Sequence, residues 1–291
     1  MRFSNIFFAT AIFFGSYFFS LPAIADATKQ QFEQGLTAIE NGDYQAAFKL
    51  WKPLAEDNDM SAQFNLGMMY EKGDGVGQDY FEALKWYKKA AEQGHTTAQF
   101  HLGVMYGSGE GVMQDYFESV KWYIKAAEKG HAKAQFNLAS MYREGLGVKQ
   151  DYFEAVKWYE KAAEQKLSRA QFNLGNMYKE GLGVKQDYSE AIRLYKQSAE
   201  QGEAEAQFQL GIMYENGKGV KQNPFEAMSW YQKAANLGHA KAQVFLGLGY
   251  AYGVGVKKNK VLAKEWFGKA CVNRSQKGCE YYSKLNRGEE L

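Results

Sequence analysis

The chain has 291 residues, of which 46% are hydrophobic, and a formal net charge of +2 at pH 7. This near-neutral charge gives no whole-chain attraction to nucleic acid or anionic membranes, so we expect no nucleic-acid partner. Aromatic residues make up 16% of the chain, but most recur at fixed positions, which favours core packing over base stacking.

Residues 1–25 are predicted to be a secretory signal peptide. Arg2 provides a minimal positive start, an apolar run extends from Ile6 to Leu21, and Ala23-Ile24-Ala25 precedes a cleavage point at Asp26. The alternative is an uncleaved anchor, because about 20 apolar residues can span a bilayer. The Ala-x-Ala pattern favours cleavage, and no nearby cysteine indicates a lipid anchor. We therefore expect a periplasmic or secreted protein with no membrane span after cleavage.

Residues 26–59 are predicted to form a shorter opening hairpin. Two groups of apolar residues at helical spacing flank a turn at Gly42-Asp43. The turn lacks the Gly-x-Gly-Val insert of later units, so the segment is similar to a plain tetratricopeptide hairpin. We interpret it as an N-terminal cap.

From residue 60 onward the sequence repeats every 36 residues. The segment that starts QFNLG at Gln63 returns at Gln99, Gln135, Gln171, Gln207 and Gln243. A period of this size indicates stacked supersecondary units. We assign six repeats, at residues 60–95, 96–131, 132–167, 168–203, 204–239 and 240–275.

Each repeat contains two predicted helices, A and B. In the first repeat, Ala62, Leu66 and Met69 share one face of helix A and should pack on helix B. Gly67 recurs in five of the six repeats, with Ala139 as the exception. A glycine inside a helix costs about 1 kcal/mol relative to alanine, so its recurrence indicates close helix packing.

The ends of the helices carry their own signals. Gly73-x-Gly75-Val76 should end helix A, and it follows a helix, whereas a phosphate-binding loop would follow a strand. Asp79 with Glu82 three residues later predicts a capping box at the start of helix B. Lys166 stands where most repeats close with glycine, so we expect an altered junction there.

The two cysteines, Cys271 and Cys279, lie near the C-terminus with seven residues between them. In an exported chain this pair predicts a disulfide, because two thiols without clustered histidines make an incomplete metal site. Residues 276–291 should form a C-terminal capping helix and a tail. We expect residues 286–291 of this tail to be loose.

The repeated pattern, with its LG, MY, G-x-GV, WY and AA elements, resembles the Sel-one-like repeat family, a branch of the tetratricopeptide superfamily. The resemblance covers about residues 60–275. It implies an all-α fold, a right-handed α/α superhelical solenoid of antiparallel helix hairpins. Members act mainly as adaptors and scaffolds, and some cysteine-rich members bind or hydrolyse β-lactams. The C-x7-C pair is similar to theirs but occurs once here, which implies a distant relationship.

An enzyme is the less favoured reading of the sequence. The S-x-x-K, S-D-N and K-T-G strings of serine β-lactamases do not occur. His95, His131 and His239 hold equivalent positions in different repeats, about 10 Å or more apart, too far to share a metal, and His101 is isolated on a helix A. We predict no catalytic residue, no metal and no cofactor.

A second apolar face of helix A, opposite the packing face, predicts a partner-binding groove on the concave side of the solenoid. A first row is nearly all aromatic, which favours packing between repeats: Phe64, Phe100, Phe136, Phe172, Phe208 and Val244. A second row varies in size and polarity, as expected of partner contacts: Met68, Val104, Ser140, Asn176, Ile212 and Leu248.

Four basic residues occupy inner-edge positions of the middle repeats: Lys133, Arg143, Arg169 and Lys179. We hypothesise that they receive an acidic peptide segment or a free carboxyl terminus. The alternative is ordinary solvated charge, balanced by Glu144 and Glu180. The sequence thus predicts an exported scaffold that binds a protein or peptide, and it leaves the oligomeric state open.

Overall fold

The computed structural model describes residues 21–291, with side chains from residue 26 onward. Residues 1–20 of the predicted signal peptide lie outside this range, and the predicted cleavage point falls within the first helix. The described residues form helices and no strand. The helices are α1 (Leu21–Glu40), α2 (Tyr44–Glu56), α3 (Met60–Lys72), α4 (Tyr80–Glu92), α5 (Thr96–Ser108), α6 (Tyr116–Glu128), α7 (Ala132–Glu144), α8 (Tyr152–Glu164), α9 (Ser168–Glu180), α10 (Tyr188–Glu200), α11 (Ala204–Asn216), α12 (Pro224–Asn236), α13 (Ala240–Tyr252), α14 (Lys260–Val272) and α15 (Gln276–Asn286).

Adjacent helices pack in pairs, which confirms the predicted all-α hairpin architecture. The odd-numbered helices α3–α13 are the A helices of the repeats, and the even-numbered helices α4–α14 are the B helices. The chain divides into two compact units, one ending at Ala90 and one comprising Ala91–Leu291.

The mid-helix glycines let the two helices of a hairpin approach closely. A Cβ added at Gly175 in α9 would lie 2.8 Å from the ring of Tyr195 in α10, and Tyr195 is fully buried. Ala139, at the same position in α7, is also fully buried. The predicted packing role of this small residue is therefore confirmed.

Both glycines of the Gly-x-Gly turn have left-handed backbone, for different purposes. Gly145 (φ 74°) ends α7 as its C-cap. Gly147 (φ 69°) lies against the backbone carbonyl of Tyr116, at the start of the preceding B helix, so a side chain there would collide with it. The second glycine thus brings neighbouring repeats into contact, a role that the sequence reading did not separate from the turn.

The aspartate caps of the B helices are confirmed, but only half of the capping box forms. Asp151 Oδ1 accepts hydrogen bonds from the backbone N–H groups of Phe153 and Glu154, at 2.9 and 3.1 Å. The Glu154 carboxylate pairs with Lys157 at 2.9 Å instead of returning to the cap. The Asp151 N–H donates to the carbonyl of Tyr142, which replaces the missing half of the box.

A buried glutamine connects each repeat to the one before it. In α7, Gln135 is 4% exposed and its Nε2 donates to the carbonyl of Ala127, at the end of α6, over 3.0 Å. Equivalent bonds follow in later repeats from Gln171, Gln207 and Gln243. The glutamine is a second donor to this helix-end carbonyl, which also accepts the backbone N–H of Gly130 at 3.0 Å.

The C-terminal helix α15 is joined to the last repeat by the predicted disulfide, and the chain end contacts the same repeat. The disulfide between Cys271 and Cys279 joins α14 to α15, with a Cα–Cα distance of 4.4 Å. Leu291 packs beside the last core cluster, and its carbonyl accepts a hydrogen bond from the Tyr252 hydroxyl at 3.1 Å. Residues 286–290 of the predicted loose tail are exposed and Leu291 is half-buried, so the looseness of this tail stays a prediction.

Candidate functional site

The surface of helices α5, α7, α9, α11 and α13 that carries the predicted first and second rows is called here the A-helix face. Phe64 and Met68 belong to the unit that ends at Ala90, and the other predicted groove residues belong to the second unit.

The first row packs within its own hairpins. Each phenylalanine lies against the tyrosine of its B helix, with ring centroids 5.7–6.1 Å apart, in the pairs Phe64–Tyr87, Phe100–Tyr123, Phe136–Tyr159, Phe172–Tyr195 and Phe208–Tyr231. Phe208 is only 4% exposed, since Phe245 packs edge-on against it at 5.5 Å. The first row is thus part of the scaffold. Val244 is also buried, at 6% exposed, and the other four phenylalanines are half-buried.

The hydroxyl groups of several of these tyrosines form hydrogen bonds with A-helix residues in or near the second row. The Tyr231 hydroxyl donates to Glu215 at 2.7 Å, and the Tyr87 hydroxyl donates to Glu71. Burial, then the bond to the carboxylate, raises the pKa of both tyrosines. In these two repeats the second-row residue, Met68 or Ile212, is apolar.

In the two middle repeats the tyrosine hydroxyl has a different hydrogen-bond partner, because a basic residue occupies the position of the glutamate. The Tyr159 hydroxyl lies 2.9 Å from Ser140 Oγ, and the Tyr195 hydroxyl donates to Asn176 Oδ1 at 2.6 Å. The polar second-row residues therefore serve the buried tyrosines. This corrects the expectation that the scaffold leaves the second row unconstrained.

Two of the four basic residues are paired with neighbouring carboxylates. Arg143 lies 2.5 Å from Glu144, and Lys179 lies 3.5 Å from Glu180. For these two, the alternative of locally balanced charge describes the geometry well.

The other two basic residues, Lys133 and Arg169, are exposed and form no ion pair within residues 26–291. Each is the second residue of its A helix, α7 or α9. The N-terminal end of a helix is its positive end, so a cation there lowers stability by about 0.3–1 kcal/mol. The structure therefore offers no stabilising role for these two charges.

A cavity of about 320 Å³ opens on the same face between α5 and α7. Val104, Gly107 and Ser140 are among the residues that line it. Gly107 occupies the position of Arg143 and Lys179, so the absence of a side chain there leaves this space open. The lining is mostly apolar.

The repeat histidines cap helices. Nδ1 of His95, His131 and His239 accepts the backbone N–H three residues on, at 3.1–3.2 Å. Burial lowers the pKa of His131, and the nearby His101 and Lys133 lower it further. These three histidines therefore lie at the junctions where A helices begin. No group of three or more His, Cys, Asp or Glu residues in the described part of the chain could hold a metal ion.

Sequence reasoning missed three features of this region: the glutamine junction bonds, the histidine caps and the tyrosine pairing. The glutamine was visible as an invariant polar residue at the start of all six repeats. The tyrosine pairing could not be seen, because it joins residues 16 or 19 positions apart on different helices. None of the described helices is long and apolar enough to cross a bilayer.

Comparison with known proteins identifies this repeat. The family model described as the Sel1 repeat matches seven segments, residues 32–59, 61–95, 96–131, 132–167, 168–203, 204–239 and 240–271. The first of these lies in the segment that we interpreted as a plain capping hairpin, so the opening hairpin also matches the repeat. No curated protein matches the chain.

Two solved structures are similar over most of the chain. One is c5321, a protective antigen of uropathogenic Escherichia coli that displays an SLR fold, with 35% identity and a TM-score of 0.83 over 90% of this chain. This chain covers 57% of c5321, so it spans little more than half of that protein. The other is a Sel1 repeat protein from Oxalobacter formigenes, with 36% identity and a TM-score of 0.73 over 82% of this chain and 96% of that one.

Proposed function

Because the chain belongs to the Sel1 repeat family, we propose that it is an exported, non-enzymatic scaffold that binds a protein or peptide along the A-helix face. Repeats of this kind offer an extended surface on which successive hairpins contribute equivalent positions. No observation in residues 26–291 favours the β-lactam alternative, and we do not propose it.

The observation that carries the proposal is the pair of unpartnered cations, Lys133 and Arg169. They stand at equivalent positions of neighbouring repeats, so they face the same surface. Both are placed against the helix dipole, which is unfavourable for folding and favourable for holding an anion near the helix start. An acidic segment of a partner supplies the missing counter-charge.

The cavity beside Gly107 gives this partner a second feature. Its apolar lining suits one apolar side chain, and Lys133 lies on the next A helix of the same face. The favoured partner is therefore a segment that combines acidic residues with an apolar anchor, since buried apolar anchors dominate the affinity of protein interfaces.

Export is supported by the disulfide between Cys271 and Cys279, because such bonds persist in oxidising compartments. The proposed location is the periplasm or the extracellular medium, consistent with the predicted signal peptide.

The test is capture of partners from an envelope extract by the full chain, compared with a Lys133→Glu/Arg169→Glu double variant. We expect the wild-type chain to retain a defined set of proteins, and the double variant to lose them. The matched control is Lys149→Glu/Lys185→Glu, which makes the same charge change in exposed turns of the same two repeats. An acidic peptide should then compete with the captured proteins.

Because the reversed charges would agree with the helix dipole, the double variant should be as stable as wild type or slightly more stable. A loss of capture would therefore not reflect unfolding. Equal capture by the double variant and the wild type would contradict the proposed basic site.

A further inference from the structure

The turns that join helix A to helix B form one continuous edge of the unit Ala91–Leu291. The turn of each repeat lies against the first residue of the preceding B helix, because a Cβ added to its second glycine would lie 2.2–2.6 Å from that residue. These contacts join Gly147 to Tyr116, Gly183 to Tyr152, Gly219 to Tyr188 and Gly255 to Pro224. The edge is called here the turn edge, and it comprises residues 109–118, 145–154, 181–190, 217–226 and 253–262.

An exposed apolar side chain stands on the turn edge in four of these five repeats. It is the second residue of the B helix, and its exposed fraction is 60–74%: Phe117, Phe153, Phe225 and Val261. The exception is Ser189 in the central repeat, which is also exposed. The row is therefore symmetric about Ser189, with two apolar positions on either side. An aligned row of this kind marks an interaction surface, whereas isolated exposed apolar residues are ordinary.

The charge of the turn edge changes sign from one end to the other. Segment 109–118 carries three acidic residues and no basic one: Glu110, Asp115 and Glu118. Segment 253–262 carries three basic residues and no acidic one: Lys257, Lys258 and Lys260. Of the acidic residues, Glu118 is already paired with Lys121.

The repeats between these two ends have intermediate charge. Segment 181–190 has one lysine and the aspartate cap Asp187, while Glu190 is paired with Arg193. Segment 217–226 has two lysines and a neutral cap, Asn223, where the earlier repeats have aspartate. The charge thus reverses stepwise, and it is nearly balanced in the central repeat, where the apolar row is interrupted.

The lysines of segment 253–262 have no counter-charge of their own. All three are exposed, and they form no ion pair within residues 26–291. Glu289 and Glu290 line a cavity together with Lys258 and Lys260, but Glu289 is bound to Arg287. This end of the turn edge can therefore accept an acidic surface.

We propose that the turn edge is the interface of a homodimer, in which a second copy of this chain lies antiparallel along it. A two-fold axis through the central repeat pairs segment 109–118 of each copy with segment 253–262 of the other. Phe153 then meets Phe225 of the other copy. Ser189 meets its own equivalent on the axis, where two larger side chains would compete for the same space.

A second copy suits this edge because the edge is complementary to itself. One rotation matches both the charges and the apolar row, whereas a parallel arrangement would place like charges together. The three phenylalanines offer about 400 Å² of exposed ring surface in each chain. A stable interface buries about 800 Å² per partner, so the charged ends must supply the remainder, and they also fix the orientation. The interface does not involve the A-helix face and does not depend on the proposed function.

The test is sedimentation equilibrium of the full chain and of two charge variants. Lys257→Glu/Lys260→Glu makes both ends acidic. Glu110→Lys/Met113→Lys makes both ends basic, with the lysines that repeat 204–239 has at positions 218 and 221. We expect a wild-type dimer that weakens with salt, and self-association about tenfold weaker or more in each variant. An equal mixture of the two variants should form a heterodimer, which shows that both remain folded.

The matched control is Lys241→Glu/Lys277→Glu. It makes the same charge change at exposed lysines in the first turns of α13 and α15, at the opposite ends of the hairpins. This variant should dimerise like the wild type. A monomeric wild-type chain, or a mixture of the two charge variants that forms no heterodimer, would overturn the proposal. So would binding of the monomer to phosphatidylglycerol vesicles through Lys257 and Lys260, which would assign the basic end to a lipid surface.

The antiparallel register has a separate test by oxidative cross-linking. Ser189→Cys places a thiol at the two-fold axis, so we expect a covalent dimer on non-reducing electrophoresis. Ser108→Cys places an exposed thiol at the end of α5, far from its equivalent in the other copy, and should stay uncross-linked. Absence of the Ser189→Cys dimer, or equal cross-linking of both variants, would contradict this arrangement.

Discussion

Repeats 132–167 and 168–203 share most of their sequence and differ mainly where each meets its predecessor. The first begins at a histidine cap, His131, and closes its junction with Trp158 under Lys161. The second begins at the uncapped Leu167 and has Leu194 at the tryptophan position. Both nevertheless form the same hairpin, with a small residue against a buried tyrosine and an aspartate cap on the B helix.

The comparison separates two requirements that a repeat protein must meet. The hairpin needs the small residue, the left-handed turn glycine and the aspartate cap, and both repeats keep all three. The junction between repeats uses the tryptophan and the helix cap, and repeat 168–203 has neither. Because stability in such proteins is approximately a sum of repeat and interface contributions, the loss is confined to one interface.

The largest effect on stability should come from giving repeat 132–167 the leucine that repeat 168–203 has at the tryptophan position. Trp158→Leu removes a buried indole and should lower the free energy of unfolding by about 3 kcal/mol, measured by urea denaturation. Lys161→Gln, which removes only the covering cation, should cost about 0.5–1 kcal/mol. Equal losses in the two variants would mean that the indole does not close the junction.

The converse changes, at the junction formed by Lys166 and Leu167, should raise the stability of the chain. Lys166→Gly relieves the left-handed backbone, and Leu167→Asp supplies a cap to α9, each with an expected gain of about 1 kcal/mol. The combined variant should raise the midpoint of thermal unfolding. Gly130→Lys makes the opposite change at the equivalent position (φ 88°) and should destabilise the chain. If neither Lys166→Gly nor Leu167→Asp raised the midpoint of thermal unfolding, Lys166 and Leu167 would not destabilise the folded chain.

The glutamine bonds should contribute equally at both junctions. Gln165 Nε2 donates to Oε1 of the buried Gln135 at 2.8 Å, and Gln201 does the same for Gln171 at 2.7 Å. Gln165→Leu should therefore cost about 1 kcal/mol in chemical denaturation. The reverse change, Leu237→Gln, should stabilise the chain, because Oε1 of Gln207 has no partner in the described structure. A gain of stability in Gln165→Leu, or a loss of stability in Leu237→Gln, would contradict the role given to these hydrogen bonds.

The smallest expected effect is a difference between the two repeats in how their contribution to stability depends on pH. The pKa of His131 is lowered in the folded state, chiefly by burial and also by His101 and Lys133. The unfolded chain then binds the proton more readily, so stability is fully present above the unfolded pKa of about 6.5. It falls as the pH drops through the folded-state pKa.

His131→Asn keeps a capping side chain that does not titrate. Urea denaturation at pH 7 and pH 5 should show a smaller loss of stability on acidification in this variant than in the wild type. The corresponding change Leu167→Asn at the other repeat should leave the difference between the two pH values unaltered. An equally steep loss in His131→Asn would mean that this histidine does not sense the pH.

Features that repeat along the chain were predictable, because each recurrence is an independent indication of the same local rule. The glycine at position 175, the aspartate caps and the 36-residue period were read in this way. The second-row residues were misread, since their identity depends on tyrosine hydroxyls supplied by another helix. The contact of Leu291 with the last core cluster was not predicted, because a tail has no repeat to compare with.

The left-handed Lys166 and the uncapped Leu167 at the junction between residues 165 and 168 have a mechanical consequence. In a linear array with nearest-neighbour coupling, strain is released first at the least cohesive boundary. A pulling force applied along Ala91–Leu291, or brief exposure to a protease, should part the array at Lys166. Two fragments would result, each retaining whole hairpins.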